Sequence, residues 1–285
     1  MNETNLHVVV VNESAGADGF PAELFEGFRV IDIKNLNGWA TSTVLNEDLL
    51  VAVWGGDGSC RAVAELLVGT RACMLPCPGG TFNHFANAAS LHDVDDVRRA
   101  LADGEMREVD VGFAGRNVFL NNANLGWYVD LVARRERYER VLPRKLAKLL
   151  SVIVQSGRIH RSLVTIDGVA EAVWMVWIGN GRFSMSLSEL AERDNLSGGL
   201  LDVRVLKLRR RMPKLRAFVT LVSGHTESFD DLDRRLVSSA TLCVRKRVVP
   251  MALDGELMKL TSPIEMRCVL NGLRLLVPHA VSDSE

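Results

Sequence analysis

The chain has 285 residues, 47% of them apolar and 24% charged. That balance excludes a disordered or fibrous polymer and leaves room for two domains or one large one. The formal net charge of −1 is a sum over unlike parts. Residues 1–130 carry 8 Lys/Arg against 18 Asp/Glu, residues 131–220 carry 18 against 8, and residues 221–285 carry 8 against 9. The start, MNETNLHVVVVNESAG, lacks the basic region and long apolar run of a secretory signal, and no stretch of about 18 apolar residues predicts a membrane span. Five cysteines without a CxxC pair and six histidines without zinc-ligand spacing predict a cytoplasmic protein with reduced thiols.

In chain order, the apolar run Leu6 to Val11 predicts a strand buried on both faces, ending in the turn-rich Asn12-Glu13-Ser14-Ala15-Gly16. A second such strand, Leu49 to Trp54, runs into Gly55-Gly56-Asp57-Gly58-Ser59. Val63, Leu66 and Leu67 then predict a helix that stops at Gly69. A third strand around Cys73–Cys77 runs into Pro78-Gly79-Gly80-Thr81-Phe82-Asn83, and Val94, Val97 and Leu101 mark a helix closed near Gly104. Strand, loop and helix repeated in this way predict an α/β domain with a parallel sheet. After about residue 110 the pattern changes to short segments rich in β-branched and aromatic residues: Val118–Leu120, Leu163–Ile166, Val173–Ile178, Leu201–Leu206 and Leu273–Val277. Asp167-Gly168 and Asp254-Gly255 are hairpin signals. Helical patterns through Leu142–Ile153 and Leu215–Val222 interrupt the strands. The second domain is therefore expected to be mostly antiparallel β with inserted helices.

The loop Gly55–Ser59 follows a buried strand and precedes a helix, the place where ligands bind in open α/β sheets. Glycines there let backbone N–H groups approach phosphate oxygens, and the helix start adds positive partial charge. A tight turn that binds nothing is the competing reading of one such loop. A second loop, Gly79–Asn83, follows the next strand; if the strands are neighbours the loops converge, and a nucleotide-phosphate site becomes the better reading. The Walker pattern, the GxGxxG fingerprint and the HRD and DFG kinase motifs are all absent. An aspartate in a phosphate cradle repels bare phosphate, so Asp57 is expected to act with Mg²⁺ carried on the phosphates, or on a ribose or phosphate network.

These residues resemble the catalytic domain of diacylglycerol kinases and related lipid kinases, whose hallmarks are GGDGT and, about 20 residues later, PxGTxNxFA. Further matches are Asn12–Gly16 to a first loop usually NPxSG, Val109-Asp110-Val111-Gly112 and Phe119-Leu120-Asn121 to the start of the second domain, Gly199–Val203 to a GLLDV strand, and Leu253-Asp254-Gly255-Glu256 to LDGE. The resemblance implies a nucleotide-binding α/β domain over 1–110, similar to phosphofructokinase and NAD kinase. It implies a C-terminal antiparallel β-sandwich substrate domain over 111–285, whose last residues can pack back on the first, with ATP between the domains. It implies ATP contacts from Asn12, Ser14, Gly16, Gly55, Gly56, Asp57, Gly58, Ser59, Gly80, Thr81 and Asn83. Asp254 becomes the general base, with Glu256 supporting it or a metal, in an ATP- and Mg²⁺-dependent transfer to a lipid hydroxyl, most simply diacylglycerol-like. On its own, Asp254-Gly255 reads as a hairpin turn; the LDGE match reverses that ranking.

The sequence departs from the family pattern at Glu13 (usually Pro), Ser59 (Thr), Arg61 (Asn), Ala62 (Glu) and His84 (Asp). Gly198 stands where many bacterial members carry an aspartate for a structural Mg²⁺, so that site is expected to be absent, or rebuilt with Asp194 or Asn195. The stretch from the first loop to Gly55 is short, which predicts one early helix shortened or missing. Two basic runs, Arg134–Lys148 and Lys207–Arg216, suit reversible contact with an anionic membrane surface, or salt bridges within the protein. No helix-turn-helix, RNA-recognition or zinc-finger pattern accompanies the charge, so nucleic acid is not expected. A homodimer is left open. Two other readings share the scaffold: a kinase of a soluble hydroxyl compound, and a nucleotide- or lipid-binding regulator that has lost catalysis.

Overall fold

The computed structural model describes residues 7–12, 19–139, 162–184, 193, 195–207 and 232–279. The chain divides into two compact units, Met1–Val111 with Leu270–Glu285, and Gly112–Val269. The helical patterns through Leu142–Ile153 and Leu215–Val222 lie outside the described residues.

The first unit runs β1 (Val8–Val11), a 3-10 turn (Ala22–Phe25), β2 (Arg29–Asp32), a second 3-10 turn (Ile33–Asn35), α1 (Leu36–Thr41), β3 (Leu50–Gly55), α2 (Asp57–Leu67), β4 (Cys73–Pro78), α3 (His84–Ala88) and α4 (Val94–Asp103). β1 pairs in parallel with β2 and β3, and β3 pairs in parallel with β4. The three continuous apolar runs form the strands buried on both faces, as a parallel sheet requires. β2 buries only Ile31, in keeping with its place at the sheet edge. Among the described residues between β1 and β2 the one helical element is the short turn Ala22–Phe25. α2 buries Cys60, Val63, Ala64 and Leu67, one face at helical spacing. Asp93 caps α4 by accepting the Asp96 N–H, and Gly104 closes it.

The second unit is antiparallel. Its strands are the end of β5 (Glu105–Ala114), β6 (Asn117–Phe119), β7 (Asn122–Gly126), β8 (Ser162–Ile166), β9 (Val169–Asn180), β10 (Leu201–Lys207), β11 (Leu232–Val237), β12 (Ser239–Val244), β13 (Val248–Leu253), β14 (Glu256–Thr261) and the start of β15 (Ile264–Val277), with α5 (Trp127–Glu139) after β7. Inward residues alternate along these strands, so that Val176 and Ile178, Val203 and Val205, and Leu242 and Met251 share one core. Asp167-Gly168 joins β8 to β9, and Asp254-Gly255 joins β13 to β14. Both residues of each turn have positive φ, between 48° and 84°. That is the backbone a type I′ hairpin needs, which explains the choice of Asp-Gly.

The sequence pattern groups Leu273–Val277 with the antiparallel strands. In the structure this stretch of β15 belongs to the first unit, where Arg274 and Leu275 pair in parallel with Cys73 and Met74 of β4. Alternation of apolar residues encodes a strand but not its partner, and a strand of 14 residues is long enough to serve two units.

Candidate functional site

In the first unit, β3 and β4 are neighbours in register Gly55↔Pro78, so the loops that leave their C-terminal ends meet. A Cβ on Gly79 would lie 2.6 Å from the Gly55 nitrogen. A Cβ on Gly80 would lie 2.8 Å from the Gly56 nitrogen and closer still to its Cα. Glycine is therefore demanded by backbone packed on backbone. Asn83, with φ of 53°, closes the second loop on itself: its Oδ1 accepts the Gly80 N–H at 2.8 Å and its Nδ2 donates to the Gly80 carbonyl at 3.0 Å. Asp57 ties the loops together, since its carboxylate accepts the N–H groups of His84 at 3.3 Å and Phe85 at 2.9 Å. Those N–H groups open α3, whose positive end suits a carboxylate. Asn12 donates from Nδ2 to Ser59 Oγ at 2.9 Å, and its N–H reaches the Trp54 carbonyl, which ties the end of β1 to the first turn of α2. The Ser59 side chain fills the space a Cβ on Gly55 would need. Gly56 precedes α2 with no side-chain cap, and Gly58 sits in its first turn, where N–H groups lack intrahelical acceptors. Thr81 and Phe82 are exposed at the loop tip, with Phe82 stacked on His84 at 5.6 Å.

In the second unit, Asp254 occupies the first turn position between β13 and β14, with φ of 48°. Its Oδ2 accepts the Leu120 N–H at 2.7 Å, and its Oδ1 accepts those of Asn121 at 2.8 Å and Asn122 at 3.0 Å. The Asp254 N–H donates to the Asn122 carbonyl at 2.8 Å. The same segment is held from its carbonyl side, because Asn180 Nδ2 donates to Leu120 O at 3.1 Å and Arg193 Nη1 at 3.3 Å. One backbone segment thus orients the carboxylate, and Asn180 and Arg193 hold that segment in turn. Glu256 is exposed at the start of β14, opposite Leu253.

Among the described residues no group of three or more His, Cys, Asp or Glu could hold a metal ion. All five cysteines are free. Burial pushes the Cys77 thiol up to about 12 and the Cys73 thiol to about 11, so both stay protonated near neutrality and neither is a nucleophile.

The model of the diacylglycerol kinase catalytic domain matches residues 7–114, the stretch that carries both glycine loops. That match covers 108 of the 285 residues. The protein named "Probable lipid kinase YegS-like" in Pseudomonas aeruginosa strain PAO1 is 31% identical over 188 residues, 62% of this chain and 58% of that protein. The protein of the same name in Alcanivorax borkumensis strain SK2 is 26% identical over 243 residues, 79% of this chain and 77% of that one. In the Pseudomonas relatives the match spans a little over half of their length. The crystal structure described as a "putative diacylglycerol kinase" from Bacillus anthracis strain Sterne covers 99% of this chain and all of its own, with a TM-score of 0.72 at 20% identity. At that identity the likeness establishes the fold.

Within the matched segment, Gly55, Gly56, Asp57, Gly58, Ser59, Gly80 and Asn83 come together, with Asn12 beside them. Ser14 and Gly16 lie outside the described residues, as do Asp194 and most of both basic runs. Asn195 lies near Gly198, its Oδ1 3.5 Å from where a Cβ would stand. Lys207, inside one basic run, is bound to Glu171 at 3.0 Å and Asp233 at 3.2 Å. Sequence reading missed the asparagines Asn122, Asn124 and Asn180 and the guanidinium of Arg193 around Asp254. The signal was available for three of them, because asparagine is a poor strand former and Asn122, Asn124 and Asn180 all sit in strands.

Proposed function

We propose that the protein transfers the γ-phosphoryl group of ATP to the hydroxyl of a lipid, diacylglycerol-like in chemistry. The observation that carries this reading is the convergence of the two glycine loops inside the segment that matches the kinase family. ATP phosphates would lie along Gly56, Gly58 and Gly80, near the first N–H groups of α2. Asn12 and Ser59 would hold the loop in shape, and Thr81 would contact the phosphate from the exposed tip. Mg²⁺ would arrive on the ATP and neutralise its phosphates. Asp57, whose carboxylate already spans the two loops, would act on that ion from the protein side.

Asp254 would accept the proton of the attacking hydroxyl, with Glu256 beside the turn in support. Phosphoryl transfer passes through a loose transition state, so placing the groups matters more than a strong base. Three backbone N–H donors decide where this carboxylate points. Contact with an anionic membrane surface through the basic middle of the chain would bring the lipid within reach.

The test is transfer of label from γ-labelled ATP with Mg²⁺ to mixed micelles containing diacylglycerol, monoacylglycerol, ceramide or sphingosine, beside glycerol and sugars as soluble acceptors. Labelled lipid is the expected product. Label only on a soluble acceptor would replace the lipid with a soluble substrate, and ATP binding without any transfer would make the protein a regulator.

A further inference from the structure

β7 alternates between two environments. Ala123 and Leu125 point into the main core of the second unit, and Asn122 and Asn124 lie on the other face. Asn124 is 1% exposed, pairs in register with Ala252 on one side and Trp177 on the other, and donates from Nδ2 to Asn122 Oδ1 at 2.6 Å. Its own Oδ1 is buried without a hydrogen-bond partner. Asn122 is half-buried, and its one side-chain hydrogen bond among the described residues is the one accepted at Oδ1. Its Nδ2 group therefore has no acceptor there. The backbone of Asn122 brackets Asp254, giving its N–H to the Asp254 carboxylate and receiving the Asp254 N–H at its carbonyl.

The direction of these two amides follows from what each alternative buries. Exchanging oxygen and nitrogen in both would leave Asn124 with two unmet N–H donors, where it now has one unmet carbonyl oxygen and one N–H beyond the bond to Asn122. Buried donors without partners are rarer and costlier than carbonyls short of a bond. The ladder therefore turns the Asn122 donor away from Asn124. An uncharged donor fixed in this way recognises an oxygen, such as an ester or hydroxyl, and disfavours an ammonium group that is itself all donors.

We infer that Asn122 Nδ2 donates a hydrogen bond to an oxygen of the acceptor substrate next to the hydroxyl that Asp254 deprotonates, and that Asn124 is the positioning residue that turns it there. The inference rests on the lipid kinase reading and sharpens it: the acceptor carries an ester or hydroxyl oxygen, and no amine, beside its reacting hydroxyl. The experiment measures steady-state transfer to diacylglycerol and to sphingosine in mixed micelles by the full-length wild type, Asn122→Ala, Asn122→Asp and Asn124→Ala, with thermal melting of each. Asn122→Ala is expected to raise the KM for diacylglycerol about tenfold, the size of one neutral hydrogen bond, and to leave the KM for ATP unchanged. Asn122→Asp keeps the shape but replaces the donor with an acceptor, and is expected to lose more than the alanine variant on diacylglycerol. Asn124→Ala is expected to show a smaller rise in the same KM, with kcat and the ATP KM held. Asn122→Asp at wild-type activity while folded, or a rise confined to the ATP KM, overturns the assignment. A wild type inactive on every lipid overturns the lipid kinase reading and the assignment with it, whereas an active wild type matched by Asn122→Ala overturns the assignment alone.

Discussion

Gly80→Ala isolates the packing of the two glycine loops. An added methyl would lie 2.8 Å from the Gly56 nitrogen, whereas ordinary contact begins at 3.4 Å, so one backbone must retreat by at least 0.6 Å (3.4 less 2.8). The same methyl would press on Asn83 Oδ1 at 2.8 Å, the atom that closes the second loop. Overpacking of this kind costs about 1–3 kcal/mol. The larger effect falls on ligand geometry, because displacement of a site by about 1 Å costs on the order of a hundredfold in rate. The expected outcome is a folded protein, its melting point lowered by several degrees, with ATP affinity and transfer reduced about tenfold to a hundredfold. Gly38→Ala is the control, since it sits in α1 with nothing within 4 Å of the new methyl and is expected to stabilise by up to about 1 kcal/mol. Binding of a fluorescent ATP analogue and differential scanning calorimetry read the two effects separately. A folded Gly80→Ala that binds ATP as well as the wild type would refute the claim that the loops must touch to make the nucleotide site.

Asp202 on β10 is fully buried and accepts from Arg204 at 2.8 Å and Arg234 at 2.7 Å, so Asp202→Ala strands two guanidiniums and is expected to cost about 3–5 kcal/mol in urea unfolding. A loss below about 1 kcal/mol would mean that the arginines repair the gap through the Phe183 carbonyl, which both already contact. Burial of Asp96 raises its pKa, but the His92 N–H, Arg99 and the Asp93 N–H together outweigh burial and hold the carboxyl below its ordinary 3.8. A depressed carboxylate stabilises the fold above its unfolded pKa and loses that contribution as pH falls through the folded one. The stability gap between wild type and Asp96→Asn should therefore narrow on acidification below about pH 4; a gap independent of pH would contradict it. With thiols held at about 11 and 12, Cys73 and Cys77 should resist iodoacetamide at pH 8 until the protein is unfolded, and rapid labelling of the native state would show the buried sheet to be open.

The elements that announce themselves in sequence are those buried on both faces. Four valines in β1 and the apolar runs of β3 and β4 admit no polar face, so a central parallel strand is their natural place. β2 was silent because an edge strand buries one residue in four, and its Arg-Val-Ile-Asp pattern resembles a loop. The glycine loops were legible as a candidate site, but the reason for their glycines was not. The sequence suggests room for phosphate, while the structure adds the contact of Gly79 and Gly80 with Gly55 and Gly56. Asp57 was legible as a candidate for the phosphates or their ion, but not as the carboxylate that also holds the backbone starting α3. Around Asp254 the turn was visible, but its partners at Leu120–Asn122 are more than 130 positions away in sequence, and no local pattern reports such a contact. Asp202 and Arg204 sit two apart on one strand face and could have been paired from sequence, whereas Arg234 joins them only through the β10–β11 register, which sets it opposite Arg204.

The most direct test of the account is single-turnover transfer from labelled ATP to diacylglycerol by wild type and Asp254→Asn, with ATP affinity measured on both. The variant is expected to bind ATP normally and to lose transfer by about a hundredfold or more, the usual worth of a positioned proton acceptor. Transfer at the wild-type rate by folded Asp254→Asn would contradict it, and would leave Asp254 as the residue that shapes the Leu120–Asn122 backbone.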